Sequence, residues 1–482
     1  MSTSIRLPDR PDQVRQSGLS GAPEEAMQRL ISAFAGNRLT ARLMRSASWV
    51  LIGYAGAQAI RLASNLILTR ILFPEAFGLM ALVTMITVGL MMFSDVGVGP
   101  SIAQSKRGDD AAFLDTAFTI QIMRGVLLWL VTLVIALPVA EFYEQPDLAL
   151  YLPIAGFALV ITGFFPTKIE TAHRHLVFGR LTILDLSAQF IGVGGMVVLA
   201  LLTQSVMALV LGSVLTATAK LVLTWRFLPG HASRPRLERA AMAEQMRFGK
   251  WIFLSTAFAF VSAQGDKAIL GKLLPIETLG IYNIGYFLAS FPVLLGITMC
   301  QNLLIPVYRD RPPGASEHHR TRLRKMRVLI TGALFGMLGA MALLGPWLVG
   351  VLYDPRYEAA GTMMVVIALA FLPQAIGLTY DRAALAAGDS RGAFVFSGLR
   401  AVLQMVCLWT GFQLAGLVGG LASYAVAMIL AHPWLVRLAR RHHAWDGPHD
   451  AVFATLAVGL AVIALWLHGG EVAGLLNVRP GP

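Results

Sequence analysis

The chain has 482 residues, of which 56% are hydrophobic and 14% are charged, and its formal net charge is +12. Soluble domains average about 45–50% apolar and about 25% charged residues, so this composition excludes an ordinary soluble enzyme. The apolar residues come in runs of about 20, the length at which a helix crosses roughly 30 Å of hydrocarbon. The positive charge therefore fits basic loops beside a membrane better than a nucleic-acid-binding surface. The two cysteines, Cys300 and Cys407, lie in apolar runs and predict neither a disulfide framework nor a metal site.

The first 45 residues are polar and rich in arginine, so we expect no cleavable signal peptide. Within Ala26–Met44, the residues Met27, Leu30, Ile31 and Phe34 recur at helical spacing among several arginines. This pattern predicts an amphipathic helix on the cytoplasmic membrane surface, and a disordered basic tail is an equal alternative.

Long apolar runs then follow one another to the end of the chain. Runs of this length and uniformity predict helices, because barrel strands alternate in hydrophobicity over about ten residues. The twelve predicted spans are 46–69, 77–99, 116–138, 149–170, 181–203, 205–228, 248–271, 280–307, 328–353, 359–380, 393–412 and 415–438. A weaker run at 451–468 leaves open whether a thirteenth helix crosses.

The distribution of Lys and Arg predicts the orientation of these spans. Of the 39 basic residues, 30 fall in alternate segments that share one side with the N-terminus, four fall on the other side and five lie inside spans. Because cytoplasmic loops carry the excess of Lys and Arg, this split places the N-terminus in the cytoplasm. One missed helix before residue 438 would destroy the split, so it also supports twelve core helices.

The chain repeats itself at a spacing of 202 residues without a gap. The matched pairs are Trp49 and Trp251, Leu68 and Leu270, Arg70 and Lys272, Leu72 and Leu274, Glu75 and Glu277, and Gly78 and Gly280. Six helices separate the two copies, so the repeat predicts two bundles of like orientation. We call residues 46–228 the N-terminal half, 229–247 the linker and 248–438 the C-terminal half, with 439–482 as the tail.

Several segments resemble the polysaccharide-transporter branch of the oligosaccharide flippases, in the multidrug/oligosaccharidyl-lipid/polysaccharide exporter superfamily. They are NLILTRILFPEAFGLMALV, DVGVGPSIAQ, GDKAILGKLLPIETLGIYNIGYFLAS, LIPVYRDR and GDSR, and the resemblance covers roughly residues 46–438. It implies an all-α integral membrane fold in which two six-helix bundles form a V and open alternately to either side. It also implies an undecaprenyl-diphosphate-linked oligosaccharide as substrate, membrane lipids as surroundings, and a polysaccharide polymerase and glycosyltransferases as working partners.

Charged residues inside spans are candidates for function, because each costs a few kcal/mol at the bilayer centre. Arg61 is the foremost of these, since it lies about 13 Å along the helix from Arg70 and cannot easily reach the outer surface. Tyr54, Gln58, Arg61 and Asn65 follow 4-3-4 spacing and so share one face of the first helix. We expect this face to line a wet cavity, with an interhelical structural role as the alternative.

Four further candidates lie near the start of the C-terminal half. Asp266 and Lys267 end the seventh span, where the lysine could instead extend to the interface and the pair could neutralise itself. Tyr282 and Tyr286 are one turn apart and could stack on sugars, although this spacing is also typical of packing. Asp95 and Asp266 are the candidate sites for ion coupling, with helix capping or a partner arginine as the alternative for Asp95.

Three more cations lie about 9 to 12 Å along their helices from the cytoplasmic ends, namely Arg124, Lys220 and Arg400. Each could extend to the interface. If they point inward, they would add to a cationic vestibule for a diphosphate, to which Arg offers bidentate contacts.

These features favour translocation of lipid-linked repeat units for a surface polysaccharide, with no enzymatic activity and no cofactor. A multidrug or cation antiporter of the same superfamily is one alternative, although it would favour buried carboxylates over cations. A membrane-embedded polysaccharide-modifying enzyme is the other, although the outside loops are short and the one histidine in a core span, His432, lies near the cytoplasmic end of 415–438. The sugar, the coupling ion and the oligomeric state do not follow from the sequence.

Overall fold

The computed structural model describes residues 39–95, 97–310 and 316–476, and every regular element in these ranges is helical. Residues 26–38 of the predicted amphipathic helix lie outside them. Eight helices form the N-terminal half: α1 Leu39–Ile71, α2 Pro74–Phe93, α3 Val98–Gln104, α4 Ala111–Phe142, α5 Leu148–Gly163, α6 Lys168–Arg174, α7 Phe178–Thr203 and α8 Met207–Phe227.

The linker leads into α9, which begins before the C-terminal half and ends inside it. The remaining α-helices are α9 Arg239–Leu273, α10 Ile276–Met299, α11 Ile305–Asp310, α12 Glu317–Leu352, α13 Ala359–Gly377, α14 Asp381–Ala386, α15 Ser390–Arg441 and α16 Gly447–Leu475. A π-helical turn, Cys300–Leu304, joins α10 to α11, and a 3₁₀ turn, Pro355–Tyr357, precedes α13.

Ten of the described helices are long and apolar enough to cross a membrane, and the bent pair α5 and α6 would be an eleventh. The predicted all-α membrane architecture is therefore confirmed. The 52 residues of α15 contain two predicted spans, and the chain reverses between them at Ala415 and Gly416, where Gly416 has a φ of 55°. Gly411 and Gly419 allow the two arms to pack closely, since a Cβ on either would overlap the carbonyl of the other.

The seventh predicted span lies in α9, which is not among the ten. The physical reason is the polar stretch from Ser262 through Gln264 to Asp266 and Lys267, which lowers the hydropathy of every window that covers it. The thirteenth predicted span corresponds to α16, whose 29 residues are long and apolar enough to cross. The second span is shorter than predicted, because α2 ends at Phe93 and a turn precedes α3.

The two ends of the helix bundle differ in charge. We call the end that carries the linker and the loops of Lys106 and Lys168 the basic end, and the other the opposite end. The linker is bound to the N-terminal half at the basic end. Arg107 forms an ion pair of 2.9 Å with Glu238, Ser105 donates to Glu244 at 2.7 Å, and Asp115 contacts His231 at 2.8 Å.

Candidate functional site

A cavity of about 800 Å³ lies between the N-terminal and C-terminal halves. Helices of both halves line it, from Leu68 and Phe77 near the opposite end to Leu294 and Ile297 toward the basic end. Among the described residues, its charged lining consists of Arg61 on α1, Lys267 on α9 and Arg400 on α15, with no carboxylate. The lining thus carries three positive charges and suits an anionic ligand.

The first of these cations, Arg61, is exposed and lines the cavity together with Ser64 and Asn65 of the same face of α1. The position of α1 is set by α7, because Gly53 packs against Thr182 and Gly56 packs against Leu186. The predicted stripe divides along its length. Arg61 and Asn65 line the cavity, whereas Tyr54 and Gln58 do not.

The two residues outside the lining contact each other. The Gln58 amide donates to the Tyr54 hydroxyl at 3.4 Å, and Gln58 is buried. They lie on α1 nearer the basic end than Arg61 and Asn65. The predicted face is therefore continuous along the helix, and only its deeper part meets the cavity. A cavity role for Tyr54 and Gln58 stays a prediction.

Lys267 and Asp266 are neighbours on α9 but point to different surroundings. The Lys267 ammonium lines the cavity, donates to Gln264 at 3.1 Å and lies 5.8 Å from the centre of the Tyr286 ring. Asp266 is 1% exposed and accepts a 2.5 Å hydrogen bond from the Tyr282 hydroxyl, behind the cavity wall. The second oxygen of this carboxylate is buried with no hydrogen-bond partner among the described residues.

An aromatic cluster forms the wall beside Lys267. Tyr286 lies 5.7 Å from Tyr282, 5.9 Å from Phe371 and 6.3 Å from Tyr424, measured between ring centres. Of these rings, Tyr286, Phe371 and Tyr424 line the cavity, whereas Tyr282 is fully buried. The two predicted tyrosines thus have different positions, one at the cavity surface and one against Asp266.

The remaining intramembrane candidates lie outside the cavity lining. Arg124 ties α4 to the end of α2, since it donates to the Ser94 hydroxyl at 2.9 Å and to the Met91 carbonyl at 2.5 Å. Asp95 accepts the backbone N–H of Gly97 at 2.9 Å in a local turn. Lys220 forms a 2.9 Å ion pair with Asp185. These three side chains have structural partners near the basic end, and the sequence analysis did not identify those partners.

Sequence reasoning also missed a set of amides. Besides Asn65, five uncharged amide side chains line the cavity: Gln189, Asn283, Gln264, Gln374 and Gln404. Each can both donate and accept hydrogen bonds, as sugar hydroxyl groups do. Their only sequence signal was a polar residue inside an apolar span, and that signal does not show which side of a helix faces water.

The cavity is closed at the opposite end by a contact that we call the seal, formed by Gly78, Gly280, Tyr357, Glu144 and Lys272. A Cβ on Gly280 would overlap the Pro74 carbonyl, and a Cβ on Gly78 would overlap the Ile276 carbonyl. Gly78 and Gly280 are 202 residues apart, and so are Pro74 and Ile276, which is the spacing of the predicted repeat. The first turns of α2 and α10 therefore touch through reciprocal backbone contacts.

Side chains extend the seal beyond the two glycines. The Tyr357 hydroxyl donates to the Leu72 carbonyl at 3.1 Å, and Lys272 forms a 2.6 Å ion pair with Glu144. This hydrogen bond from the Lys272 ammonium lowers the pKa of the Glu144 carboxyl below its ordinary value. The seal is thus a backbone and aromatic contact with a solvent-facing ion pair at its rim.

Comparison with known proteins agrees with this architecture. Residues 67–361 match the family described as "Polysaccharide biosynthesis protein". The teichuronic acid biosynthesis protein TuaB of Bacillus subtilis (strain 168) is 21% identical over 399 residues, covering 81% of each chain. The lipopolysaccharide biosynthesis protein WzxC of Escherichia coli (strain K12) is 20% identical, covering 81% of this chain and 80% of its own.

Solved structures show the same fold. The Lipid II flippase MurJ in an inward closed conformation aligns with a TM-score of 0.58 over 87% of this chain and 99% of MurJ, at 9% identity. The predicted fold is therefore confirmed, and the match to the polysaccharide biosynthesis family bears out the predicted resemblance to polysaccharide transporters.

Proposed function

The chain belongs to the polysaccharide biosynthesis protein family, and from this we propose that it moves lipid-linked oligosaccharide repeat units across the bacterial cytoplasmic membrane. The observation that carries the proposal is the cavity between the two halves, whose charged lining, within the described residues, is entirely cationic. The names of the relatives, which concern teichuronic acid and lipopolysaccharide biosynthesis, support the substrate class.

The polarity of the cavity matches the polarity of such a substrate. A diphosphate linker carries negative charge, which Arg61, Lys267 and Arg400 would compensate in a region of low dielectric constant. The amides and the rings of Tyr286 and Tyr424 offer hydrogen bonds and apolar faces to sugars. A cationic drug would meet three like charges in this cavity, which argues against the antiporter alternative.

Transport proceeds by alternating access in this proposal. The basic end faces the cytoplasm, because Lys and Arg are concentrated there. The described conformation is closed at the opposite end, so the repeat unit enters the cavity from the cytoplasmic side while its prenyl tail stays in lipid. Opening of the seal then exposes the repeat unit to the other side, where the polymerase of the pathway receives it.

Asp266 is the stronger of the two candidates for ion coupling. Its unpartnered carboxylate oxygen is buried next to the cavity cation Lys267, whereas Asp95 already accepts a backbone hydrogen bond in a turn. A proton or sodium ion at Asp266 would change the field felt by Lys267 and by the bound diphosphate.

The test is replacement of Arg61 in a strain that lacks the native gene, with export measured as surface polysaccharide at matched protein level. We expect Arg61→Ala to lower export roughly ten- to hundredfold, because a lost hydrogen bond to a charged group costs about 1.5–3 kcal/mol. Arg61→Lys should retain part of the activity.

Arg124→Ala is the matched control, since it removes the same charge from an apolar span of the same half but outside the cavity. It should lower thermal stability and leave export per folded molecule unchanged. Full export by Arg61→Ala, or equal losses in the two variants, would remove the cavity charge from the mechanism.

A further inference from the structure

A second cavity, of about 340 Å³, lies at the basic end of the C-terminal half. It is formed by the first turns of α12 and by the segment that joins α15 to α16, and it shares no lining residue with the cavity between the halves. Its lining includes three arginines at successive turns of α12, Arg320, Arg324 and Arg327, together with Trp445 and Asp446.

The innermost arginine, Arg327, has a structural role. It is 4% exposed, donates to the Thr379 hydroxyl at 3.1 Å and to the Tyr308 hydroxyl at 3.2 Å, and stacks over the Tyr380 ring. These partners occupy its guanidinium group, so it positions the pocket wall and is not the part that would meet a ligand.

The two outer arginines are placed differently. Asp446 holds Arg324 with a 3.1 Å ion pair, yet 53% of the Arg324 side chain remains exposed. Arg320 is exposed one turn earlier on the same helix. Asp446 thus orients one guanidinium group, and the free edges of both arginines offer the paired donors that phosphate oxygens accept.

The pocket lies along the membrane normal at the level of the lipid headgroups. The apolar part of α12 begins at Val328, so Arg324 and Arg320 lie about 6 and 12 Å outside it along the helix. The polar headgroup region adds about 5–8 Å to each side of the hydrocarbon, so Arg324 falls within it and Arg320 lies beyond it, close enough for its long side chain to reach back.

An apolar groove continues from the pocket into the membrane. On α12, the face of Arg324 leads to Val328, which is 44% exposed, and then to Gly332, where an added Cβ would meet nothing within 4 Å. On α16, Pro448 lines the pocket and leads to Val452 and Leu456, which are 57% and 50% exposed.

The two faces flank the same side of the packed seam between these helices. That seam is formed by the contact of Thr331 with His449 and by the stacked rings of Phe335 and Phe453. Both helices run from the basic end toward the opposite end. The open face of α12 is rotated from the seam in one sense and that of α16 in the other, so the two faces lie side by side on one surface.

We propose that this pocket and groove bind one anionic membrane phospholipid. Arg320 and Arg324 contact its headgroup phosphate, and one acyl chain lies along Val328, Gly332 and Val452. A free phosphate would fit the pocket but leave the groove without an occupant, so the apolar continuation selects a lipid. Bound there, the lipid joins α12 to α16 on the surface of the C-terminal half, outside the transport path.

The experiment measures lipid retention by native mass spectrometry on the full chain purified in detergent, titrated with phosphatidylglycerol or phosphatidylethanolamine. We expect preferential retention of phosphatidylglycerol, lowered roughly 100-fold by Arg320→Gln with Arg324→Gln, since each lost hydrogen bond from a charged group to the phosphate costs about 1.5 kcal/mol or more. The matched control, Arg322→Gln with Lys325→Gln, removes the same charge from residues of α12 that do not line the pocket and should retain the lipid. Equal losses in the two pairs would show general attraction to charge and overturn the site.

A second variant tests the groove without touching Asp446. Gly332→Leu fills open space, so the protein should fold and lose phosphatidylglycerol, whereas Gly350→Leu, at an equally open position near the other end of α12, should keep it. Unchanged retention in Gly332→Leu would overturn the groove. Displacement of the lipid by an equal concentration of inorganic phosphate, or by undecaprenyl phosphate in preference to phosphatidylglycerol, would overturn the choice of a phospholipid.

Discussion

Lys267 and Lys272 lie five residues apart on α9, and their surroundings distinguish the cavity from the seal. Lys272 pairs with Glu144 across the seal at 2.6 Å. Lys267 instead contacts the neutral amide of Gln264 and the ring of Tyr286. At the rim of the seal the positive charge is balanced by the protein, and in the cavity the lining contains no carboxylate within the described residues.

This contrast separates two physical tasks. A seal that must open and close benefits from local neutrality. If each half carried unbalanced charge there, the free energy of separating the two halves would depend strongly on the charge of what is bound. A binding cavity benefits from unbalanced charge, because the ligand then supplies the compensation. Each of the following tests asks whether the two regions differ in this way.

The largest effect should come from holding the seal closed. In Glu144→Cys with Lys272→Cys, a short bismaleimide would join the two halves where the ion pair joins them now. Both native cysteines are buried, so background labelling should be low. We expect export to fall to background on cross-linking, because the repeat unit could no longer leave through the opposite end.

The control for this experiment is a cross-link within one half. Glu144→Cys with Asp147→Cys places both thiols in the same loop, and the same reagent should leave export unchanged. If the molecules linked between halves export normally, the seal does not open during transport, and the balanced charge at the seal then has no role in opening.

A smaller effect is expected from overfilling the seal. Gly280→Leu would push a side chain against the Pro74 carbonyl, and backbone atoms cannot move aside as a flexible side chain can. We expect about 1–3 kcal/mol of destabilisation of the closed conformation. This loss would be measured as a lower thermal midpoint of the purified protein.

Two further variants serve as comparisons for this thermal midpoint. Gly78→Leu should match Gly280→Leu, since the two contacts are reciprocal, and Gly350→Leu should have little effect, because the space there is open. A marked difference between Gly78→Leu and Gly280→Leu would show that the seal is not formed symmetrically by the two copies of the repeat.

The same two regions show what the sequence could predict. Charge sorting and hydropathy predicted helices that the structure contains, because each depends on residues within one segment. The face of α1 with Arg61 and Asn65 was also predictable, since helical periodicity places residues on a common side. The depth at which that face meets the cavity was not, because it depends on where the two halves separate.

Contacts between helices explain the remaining misses. Asp266 and Lys267 were grouped as one candidate pair, yet packing of α9 against α10 turns Asp266 toward Tyr282 and leaves Lys267 at the cavity. Arg124 resembles Arg61 in sequence terms, and only the position of Ser94 on a neighbouring helix shows that it has a structural partner. Such distinctions require a tertiary structure.

The smallest expected effect concerns the ion pair at the rim of the seal. Lys272 lowers the pKa of Glu144, so the pair stabilises the closed conformation fully above the ordinary glutamate pKa of about 4.3. That contribution is lost as the pH falls through the lowered pKa of the folded state. The Glu144 side chain is 71% exposed, so solvent and salt screen the pair and its contribution is small.

We therefore expect Glu144→Gln to have a thermal midpoint close to that of the unmodified protein at pH 7, and the two midpoints to converge as the pH falls below 4. Added salt should shrink the difference at pH 7. A large loss of stability or of export in Glu144→Gln at pH 7 would mean that the seal depends on charge. The comparison would then reverse, because the electrostatic part of the mechanism would lie at the seal and not in the cavity.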